Sequence, residues 1–309
     1  MQKNLRVRPT LQALADLFFP RDCTVCGCRL GRHERHLCLN CKLELPQTYF
    51  WTLERNVMAD KLNALIQIRL DRACTNKLPQ RQTGSCRDGR GLPHEARQPD
   101  GHEPYVQAAA LFYYNADTGY GRIPQALKYA GAIGLGRDFA RRLASRLKGA
   151  PAFRDVTLVV PVPLHWTRQW KRGYNQAAVL AREIAAALNV PCDETLLYRR
   201  RRTRTQTRLA PEEKTGNVDG AFAVRRNRLP DRPAARYSGT GRPFVPATSS
   251  GERESPPAAV HILLVDDVFT TGATLEACHA TLRAAWRERG IVPRHARISV
   301  ATLAYVGRP

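Results

Sequence analysis

Two adjacent carboxylates that follow an apolar run are the residues of this sequence best suited to chemistry. Ile262–Val265 is apolar and leads directly into Asp266 and Asp267, and Thr-Thr-Gly-Ala-Thr follows over 270–274. A short apolar run predicts a buried strand, and ligands of open α/β sheets sit beyond the carboxyl ends of such strands. The glycine-containing turn, and the helix predicted to begin near its end, offer N–H groups and a positive helix end to a phosphate. A ribose 5-phosphate suits both parts, because its vicinal diol can donate hydrogen bonds to the carboxylates.

The stretch VDDVFTTGAT, residues 265–274, resembles the phosphoribosyl-pyrophosphate (PRPP) loop of type I phosphoribosyltransferases. The resemblance implies that Asp266 and Asp267 hold the ribose 2- and 3-hydroxyls and act in catalysis. It also implies a 5-phosphate site formed by loop amides and hydroxyls. The residues of that site are Thr270, Thr271, Gly272, Ala273 and Thr274. A strand with a capping aspartate needs only one carboxylate and does not need the Thr-Thr-Gly-x-Thr sequence.

Two further stretches resemble one subfamily, the competence-associated ComF/GntX-like proteins. They are VVPVPLHWTRQWKRGYNQAAVLA over 159–181 and RTRTQTRLAPEEKTGNVDGAF over 202–222. The first implies a loop that faces pyrophosphate, and the second a mobile basic loop that closes over it. The residues implied in pyrophosphate binding are Pro163, Leu164, Arg168, Lys171, Arg172, Arg204 and Gln206. Lys214 stands where the subfamily pattern has an arginine, and the resemblance gives it a catalytic role in neutralising the leaving group.

Four cysteines near the N-terminus have metal-binding spacing. They form two Cys-x-x-Cys pairs separated by eleven residues, and two such pairs predict one structural zinc with no open coordination position. The predicted ligands are Cys23, Cys26, Cys38 and Cys41. Cys28 is an alternative to Cys26, and His33 or His36 is an alternative to one of the cysteines. The flanks FFPRDCTVCG and LCLNCKLELP also resemble the N-terminal zinc ribbon of ComF-like proteins.

The composition predicts a basic globular protein with anionic partners. Among 309 residues there are 49 Lys and Arg against 27 Asp and Glu, a net charge of +22, which favours phosphorylated metabolites or nucleic acid. The five-arginine run from Arg199 to Arg204 either grips nucleic acid or is a solvated loop. No apolar run has the length of a membrane span, so we expect no membrane insertion and a cytoplasmic location.

The order of the elements predicts an α/β fold. Strands at Thr157–Pro161, Ile262–Val265 and Ile298–Tyr305 alternate with helices, which predicts a mainly parallel sheet with flanking helices. The expected architecture is type I phosphoribosyltransferase-like, with a zinc ribbon over 1–50, a linker or insertion over 51–104, and the main domain over 105–309. Within that domain, 226–259 is rich in Arg, Pro and Ser and is expected to be a disordered insertion.

The family resemblance implies a function in DNA uptake during natural competence. It implies binding of PRPP with Mg²⁺ and transfer of phosphoribose to an unidentified acceptor, with release of pyrophosphate. Two alternatives remain open. One is a PRPP sensor without catalysis, and the other is a competence protein that holds single-stranded DNA or other competence proteins.

Overall fold

The computed structural model describes residues 21–75, 103–115, 118–129, 131–200, 220–231, 260–291 and 293–307. Three of the predicted site residues, Arg204, Gln206 and Lys214, lie outside these ranges. Most of the two expected insertions, over 76–102 and 232–259, also lies outside them.

The centre of the chain is a parallel sheet of four strands. The described residues contain six strands, four in this sheet and two in a separate ribbon. In chain order they are β1 (Gln107–Tyr114), β2 (Leu158–Pro161), β3 (Leu197–Arg199), β4 (Phe222–Val224), β5 (Val260–Phe269) and β6 (Ala296–Val306). The sheet has the order β1-β6-β5-β2, and its three strand pairs are all parallel. Strands β3 and β4 form a separate antiparallel ribbon. β5 is a nearly continuous apolar run because both of its faces are covered.

Helices cover both faces of the sheet. In chain order the helices of the described residues are α1 (Leu39–Leu43), α2 (Val57–Thr75), α3 (Arg122–Tyr129), α4 (Ile133–Gly149), α5 (Trp166–Arg172), α6 (Gln176–Leu188) and α7 (Ala273–Glu288). Successive residues of β5 point to opposite faces, so Leu264 packs with α2 and α7, whereas Leu263 packs with α3, α4 and α6. The predicted fold class is confirmed as an α/β fold with a parallel sheet and flanking helices, plus a small N-terminal cysteine-rich unit.

The cysteine-rich unit packs against the edge of the sheet and shares its core. The hydroxyl of Tyr120 donates to the carbonyl of Cys41 at 3.1 Å, and Arg122 donates to the carbonyl of Val25 at 3.2 Å. The residues that follow the unit run beside β1, where the N–H of Tyr113 donates to the carbonyl of Pro46 at 2.8 Å. These contacts hold the unit against β1 and α3.

Part of the expected linker over 51–104 belongs to the core. Residues 57–75 form helix α2, and Met58, Leu62 and Ile66 are buried against the sheet. These apolar residues recur at a spacing of four, which is a helical pattern within an otherwise polar stretch. α2 therefore covers one face of the sheet beside α7.

The first residues of the expected insertion over 226–259 are also ordered against the core. Leu229 is buried, and the indole N–H of Trp286 donates to the carbonyl of Pro230 at 2.9 Å. Residues 229 and 230 therefore pack against the sheet side of the core and α7. No helix in the described ranges has the length and apolar character that crossing a bilayer requires.

Candidate functional site

Asp266 and Asp267 lie inside strand β5, beyond the predicted strand end at Val265. β6 continues beside them, with Asp266 opposite Thr302, whereas β2 ends at Pro161 opposite Val265. The strand extends because β6 still offers it backbone partners. On the side of β2 the two carboxylates face the loop that follows β2, and the candidate site lies there.

A cavity of about 170 Å³ lies between the loop after β2 and the two carboxylates of β5. It brings together residues predicted from two separate motifs. The predicted site residues that line it are Pro163, Leu164, Arg168, Arg172, Asp266, Asp267 and Thr274. The loop motif after β2 and the carboxylate motif of β5 therefore meet in one place, as ligand binding at the carboxyl edge of a parallel sheet requires.

The two carboxylates have different environments. Burial, together with the charge of Asp267, raises the pKa of Asp266 to about 7. The N–H of Asp267 donates to Oδ1 of Asp266 at 2.8 Å, and Nζ of Lys128 lies 3.1 Å from Oδ2 of Asp267. Near neutral pH the pair holds a proton for part of the time, because two buried like charges disfavour each other. A cation or a hydrogen-bond donor brought by a ligand would favour the fully ionised pair.

The turn after β5 depends on Gly272. Its φ is +85°, and a Cβ built there would stand 2.7 Å from the ring of Phe269. Glycine is therefore required both for the left-handed backbone and for the close approach of the ring. Helix α7 begins at Ala273, one residue before the predicted start, and Thr274 lines the cavity. The other predicted phosphate-loop residues form the adjoining turn, where Thr270 and Thr271 are exposed.

The Arg-Gly-Tyr-Asn-Gln motif holds three elements around the cavity. Nδ2 of Asn175 donates to the carbonyl of Val162 in the loop after β2, and its Oδ1 accepts from the N–H of Ala177, each at 3.1 Å. The hydroxyl of Tyr174 donates to the carbonyl of Leu127 in α3. The motif thus joins the loop after β2, the start of α6 and the end of α3. Lys171, the remaining predicted residue of this region, lies on α5.

Six residues of the cavity are absent from the predicted set. They are Lys128, Val162, Asn175, Gln176, Ala177 and Arg199. Lys128 belongs to the LKYAG stretch, which resembles a helix end of the subfamily, and Gln176 ends the Arg-Gly-Tyr-Asn-Gln motif. Arg199 is the first residue of the basic run, and no feature of the linear sequence distinguishes it from Arg200.

Five cysteines come together in the N-terminal unit. The Sγ atoms of Cys23, Cys26, Cys28 and Cys38 all lie within 4.8 Å of one another. Cys41 is buried beside them, and its N–H donates to Sγ of Cys38 at 3.5 Å. The backbone N–H of Cys28 lowers the pKa of Cys26 to about 6, which favours the thiolate that a metal requires.

The sulfur spacing fits zinc. A tetrahedral zinc with Zn–S bonds of about 2.3 Å places its sulfurs about 3.8 Å apart, and Sγ of Cys26 lies 3.7 Å from Sγ of Cys38. Five thiols are more than one zinc needs, so Cys28 and Cys41 compete for one position. His33 and His36 are alternatives to one of the cysteine ligands. Nε2 of His36 lies 3.6 Å from Oδ2 of Asp138 on α4.

Comparison with known proteins finds relatives named for competence and DNA use. The chain is 30% identical over 164 residues to Competence protein F of Haemophilus influenzae, which covers 52% of this chain and 59% of that protein. It is 29% identical over 117 residues to DNA utilization protein YhgH of Salmonella typhi, which covers 38% of this chain and 39% of that protein. The YhgH protein of Escherichia coli K12 is 28% identical over the same length. The chain thus spans about half the length of these relatives or less, and no family model matches it.

One solved structure superposes on part of this chain. Adenine phosphoribosyltransferase from Leishmania tarentolae superposes with a TM-score of 0.27 at 14% identity, over 58% of this chain and 74% of that one. A superposition of this extent supports no inference about function.

Proposed function

We propose that this chain, a ComF-like protein, binds PRPP with Mg²⁺ and transfers its phosphoribose to an acceptor with release of pyrophosphate. The supporting observation is the cavity where Asp266 and Asp267 face Arg168 and Arg172 at the carboxyl edge of the sheet. Carboxylates suit a diol and arginines suit phosphate groups. PRPP matches this combination, because its one sugar ring carries both a diol and phosphate groups.

Each part of PRPP has a proposed set of partners. The ribose hydroxyls donate to Asp266 and Asp267, and the 5-phosphate binds the turn from Thr270 to Thr274. The pyrophosphate binds the loop after β2 and the arginines of α5, with Lys171, Arg204, Gln206 and Lys214 as further proposed contacts. The carboxylate oxygens are hard donors of the kind Mg²⁺ takes, and Mg²⁺ bound with PRPP would offset the charge of the pyrophosphate.

In the proposed reaction the bond between ribose C1 and the pyrophosphate oxygen breaks, and a bond from C1 to the acceptor nucleophile forms. The electron pair of the broken bond leaves with pyrophosphate. Arg168 and Arg172 would stabilise the charge that develops on the leaving group, and a closed cavity would keep water from the reactive carbon.

The test measures binding and turnover separately. Calorimetric titration with PRPP and Mg²⁺ compares the wild type with Asp266→Asn/Asp267→Asn, and Asp71→Asn on the exposed face of α2 serves as the control. Loss of two charged hydrogen bonds, each worth about 1.5–3 kcal/mol, predicts an affinity at least about a hundredfold lower. Equal affinity of wild type and double variant would contradict the proposal.

Pyrophosphate release distinguishes a transferase from a sensor. Wild-type protein is incubated with PRPP, Mg²⁺ and a panel of nucleobases and other candidate acceptors, and released pyrophosphate is measured. Acceptor-dependent release that the double variant lacks supports transfer. Tight PRPP binding without release for any acceptor supports the sensor.

A second candidate function is binding of single-stranded DNA, and exposed tryptophans favour it. Trp166 and Trp170 lie one turn apart on α5 and are 71% and 84% exposed, whereas Arg168 and Arg172 of the same helix line the cavity. Exposed aromatic faces stack on bases while nearby cations contact phosphates. The names of the relatives concern DNA, which agrees with this function.

The DNA hypothesis predicts a specific loss. Stacking contributes about 1–3 kcal/mol per base, so Trp166→Ala/Trp170→Ala should weaken binding of a labelled oligothymidylate at least about fivefold. Trp166→Phe/Trp170→Phe retains aromatic faces and is the matched control. Unchanged affinity of the alanine pair would exclude this helix as the binding surface.

We also propose a structural zinc in the cysteine unit, held by Cys23, Cys26, Cys38 and Cys41, with Cys28 as the competing fourth ligand. The sulfur distances support a metal at this cluster, and the four sulfurs within 4.8 Å of one another include Cys28 in place of Cys41. With four thiolate ligands, no ligand position is left for water. Such a zinc would stabilise a unit that packs directly on β1 and α3.

A further inference from the structure

Arg199 and Arg200 are neighbours in sequence but line different cavities. Arg199 is the last residue of β3, pairs with Phe222, and lines the cavity that contains Asp266. Arg200 lines a separate groove of about 420 Å³ beside α7, together with Glu288. Side chains alternate along an extended chain, which explains why two adjacent arginines separate in this way. The basic run is therefore not one continuous surface.

The cavity that contains Arg199 is rich in positive charge. Its lining side chains carry four positive charges, from Lys128, Arg168, Arg172 and Arg199, against the two carboxylates. The guanidinium carbon of Arg199 lies 5.1 Å from the ring centroid of Phe222, so the side chain is held against an aromatic face. Burial and the neighbouring Arg168 lower the pKa of Arg199. Like charges brought together away from water disfavour each other, and a dense anion between them would relieve that cost.

Gln176 supplies an independent observation at the same cavity. Its Oε1 accepts from Nη1 of Arg172 at 3.1 Å. Because arginine can only donate, this contact fixes the orientation of the amide and directs Nε2 away from Arg172. Gln176 is 3% exposed, and its Nε2 has no hydrogen-bond partner among the described residues. A buried amide donor of this kind needs an acceptor oxygen, which a bound anion can supply.

We infer that Arg199, together with Arg168 and the amide of Gln176, forms the binding site for a pyrophosphate-class anion in this cavity. The inference rests on the proposed function in one respect, since the anion is taken to be the pyrophosphate group of PRPP. Arg199 contributes a planar fork that binds phosphate oxygens in pairs, and Gln176 contributes a neutral donor. Arg200 has no part in the site.

The experiment uses the adjacent arginines as a matched pair. Calorimetric titrations with inorganic pyrophosphate and with PRPP plus Mg²⁺ compare wild type, Arg199→Gln and Arg200→Gln. We expect Arg199→Gln to weaken pyrophosphate binding by about tenfold to a hundredfold, as for a lost charged hydrogen bond. Arg200→Gln should stay within about twofold of wild type, because its side chain lies in the other groove.

Two further variants distinguish the loss of a binding contact from the loss of folding. Arg199→Lys keeps the charge but loses the fork, so its affinity should lie between wild type and Arg199→Gln. Gln176→Leu removes only the neutral donor and should weaken pyrophosphate binding several-fold. Thermal melting of each variant establishes that it is folded, and if Arg199→Gln melts early, Arg199→Lys decides the outcome.

The outcomes separate this inference from the proposed function. Equal pyrophosphate affinities for Arg199→Gln, Arg199→Lys and Arg200→Gln would overturn the inference even if PRPP binds. Wild-type binding of pyrophosphate but not of PRPP would overturn the proposed function and leave the anion site intact. Failure of the wild type to bind either anion would overturn both.

Discussion

Replacement of Asp266 by asparagine should make the unliganded protein more stable. Burial and the charge of Asp267 raise the pKa of Asp266 to about 7, against an ordinary value of 3.8. Asparagine has the same shape, and its carbonyl can still accept the hydrogen bond from the N–H of Asp267, which measures 2.8 Å. The substitution therefore removes the buried charge and retains the contact.

The magnitude follows from the pKa difference. The folded state holds the proton more tightly than the unfolded state, so the folded state loses stability as pH rises from about 4 to 7. Three pKa units correspond to about 4 kcal/mol. Because Asp266 is partly accessible and its titration is shared with Asp267, we expect Asp266→Asn to gain about 2–3 kcal/mol at pH 8. The gain should approach zero as the pH falls below about 4, where the unfolded state becomes protonated as well.

The assay is urea denaturation of wild type and Asp266→Asn at several pH values from 4.5 to 8, with PRPP titrations in parallel. Asp193→Asn is a control for which we expect the stability to change in the opposite direction. Burial would raise the pKa of Asp193, but hydrogen bonds from Thr195 and a contact with Arg228 lower it overall. Its replacement should therefore destabilise the protein at pH 8.

Two results would refute this reasoning. One is a loss of stability in Asp266→Asn at pH 8, which would mean that the carboxylate contributes favourable contacts in the unliganded fold. The other is a gain that does not change with pH, which would mean that the gain does not come from a buried charge. A stabilised variant that no longer binds PRPP would show that the ligand site is kept at a cost to stability.

Two further predictions concern the turn and the cysteine unit. Gly272→Ala should lose more stability in urea denaturation than Gly131→Ala: both have positive φ, but only the Cβ at 272 meets the ring of Phe269, at 2.7 Å. Equal losses of about 1 kcal/mol would mean that backbone strain alone determines the cost. Metal analysis should find one zinc per chain, and comparison of Cys41→Ser with Cys28→Ser identifies the fourth ligand as the cysteine whose replacement lowers the zinc content. Absence of zinc from the wild type would contradict the metal site.

The sequence by itself determined those parts of the site whose chemistry is contiguous. Asp266, Asp267 and the glycine of the turn lie within seven residues, and the Arg-Gly-Tyr-Asn-Gln motif is also a single stretch. Local geometry governs such features, since a strand, a tight turn and a helix end each impose requirements on neighbouring residues. The alternation of short apolar strands with helices also predicted a mainly parallel sheet, because parallel neighbours need a crossover connection, usually a helix, between them.

Only the tertiary structure decided which distant residues complete the site. β5 continues past Val265 because β6 lies beside it, and α2 enters the core because the sheet offers it a face to cover. Lys128 reaches Asp267 across the cavity, and Arg199 separates from Arg200 because the β3–β4 ribbon has one side toward the site. These outcomes depend on backbone pairing and burial between segments far apart in the chain. A linear pattern records the type of each residue but not its neighbours in space.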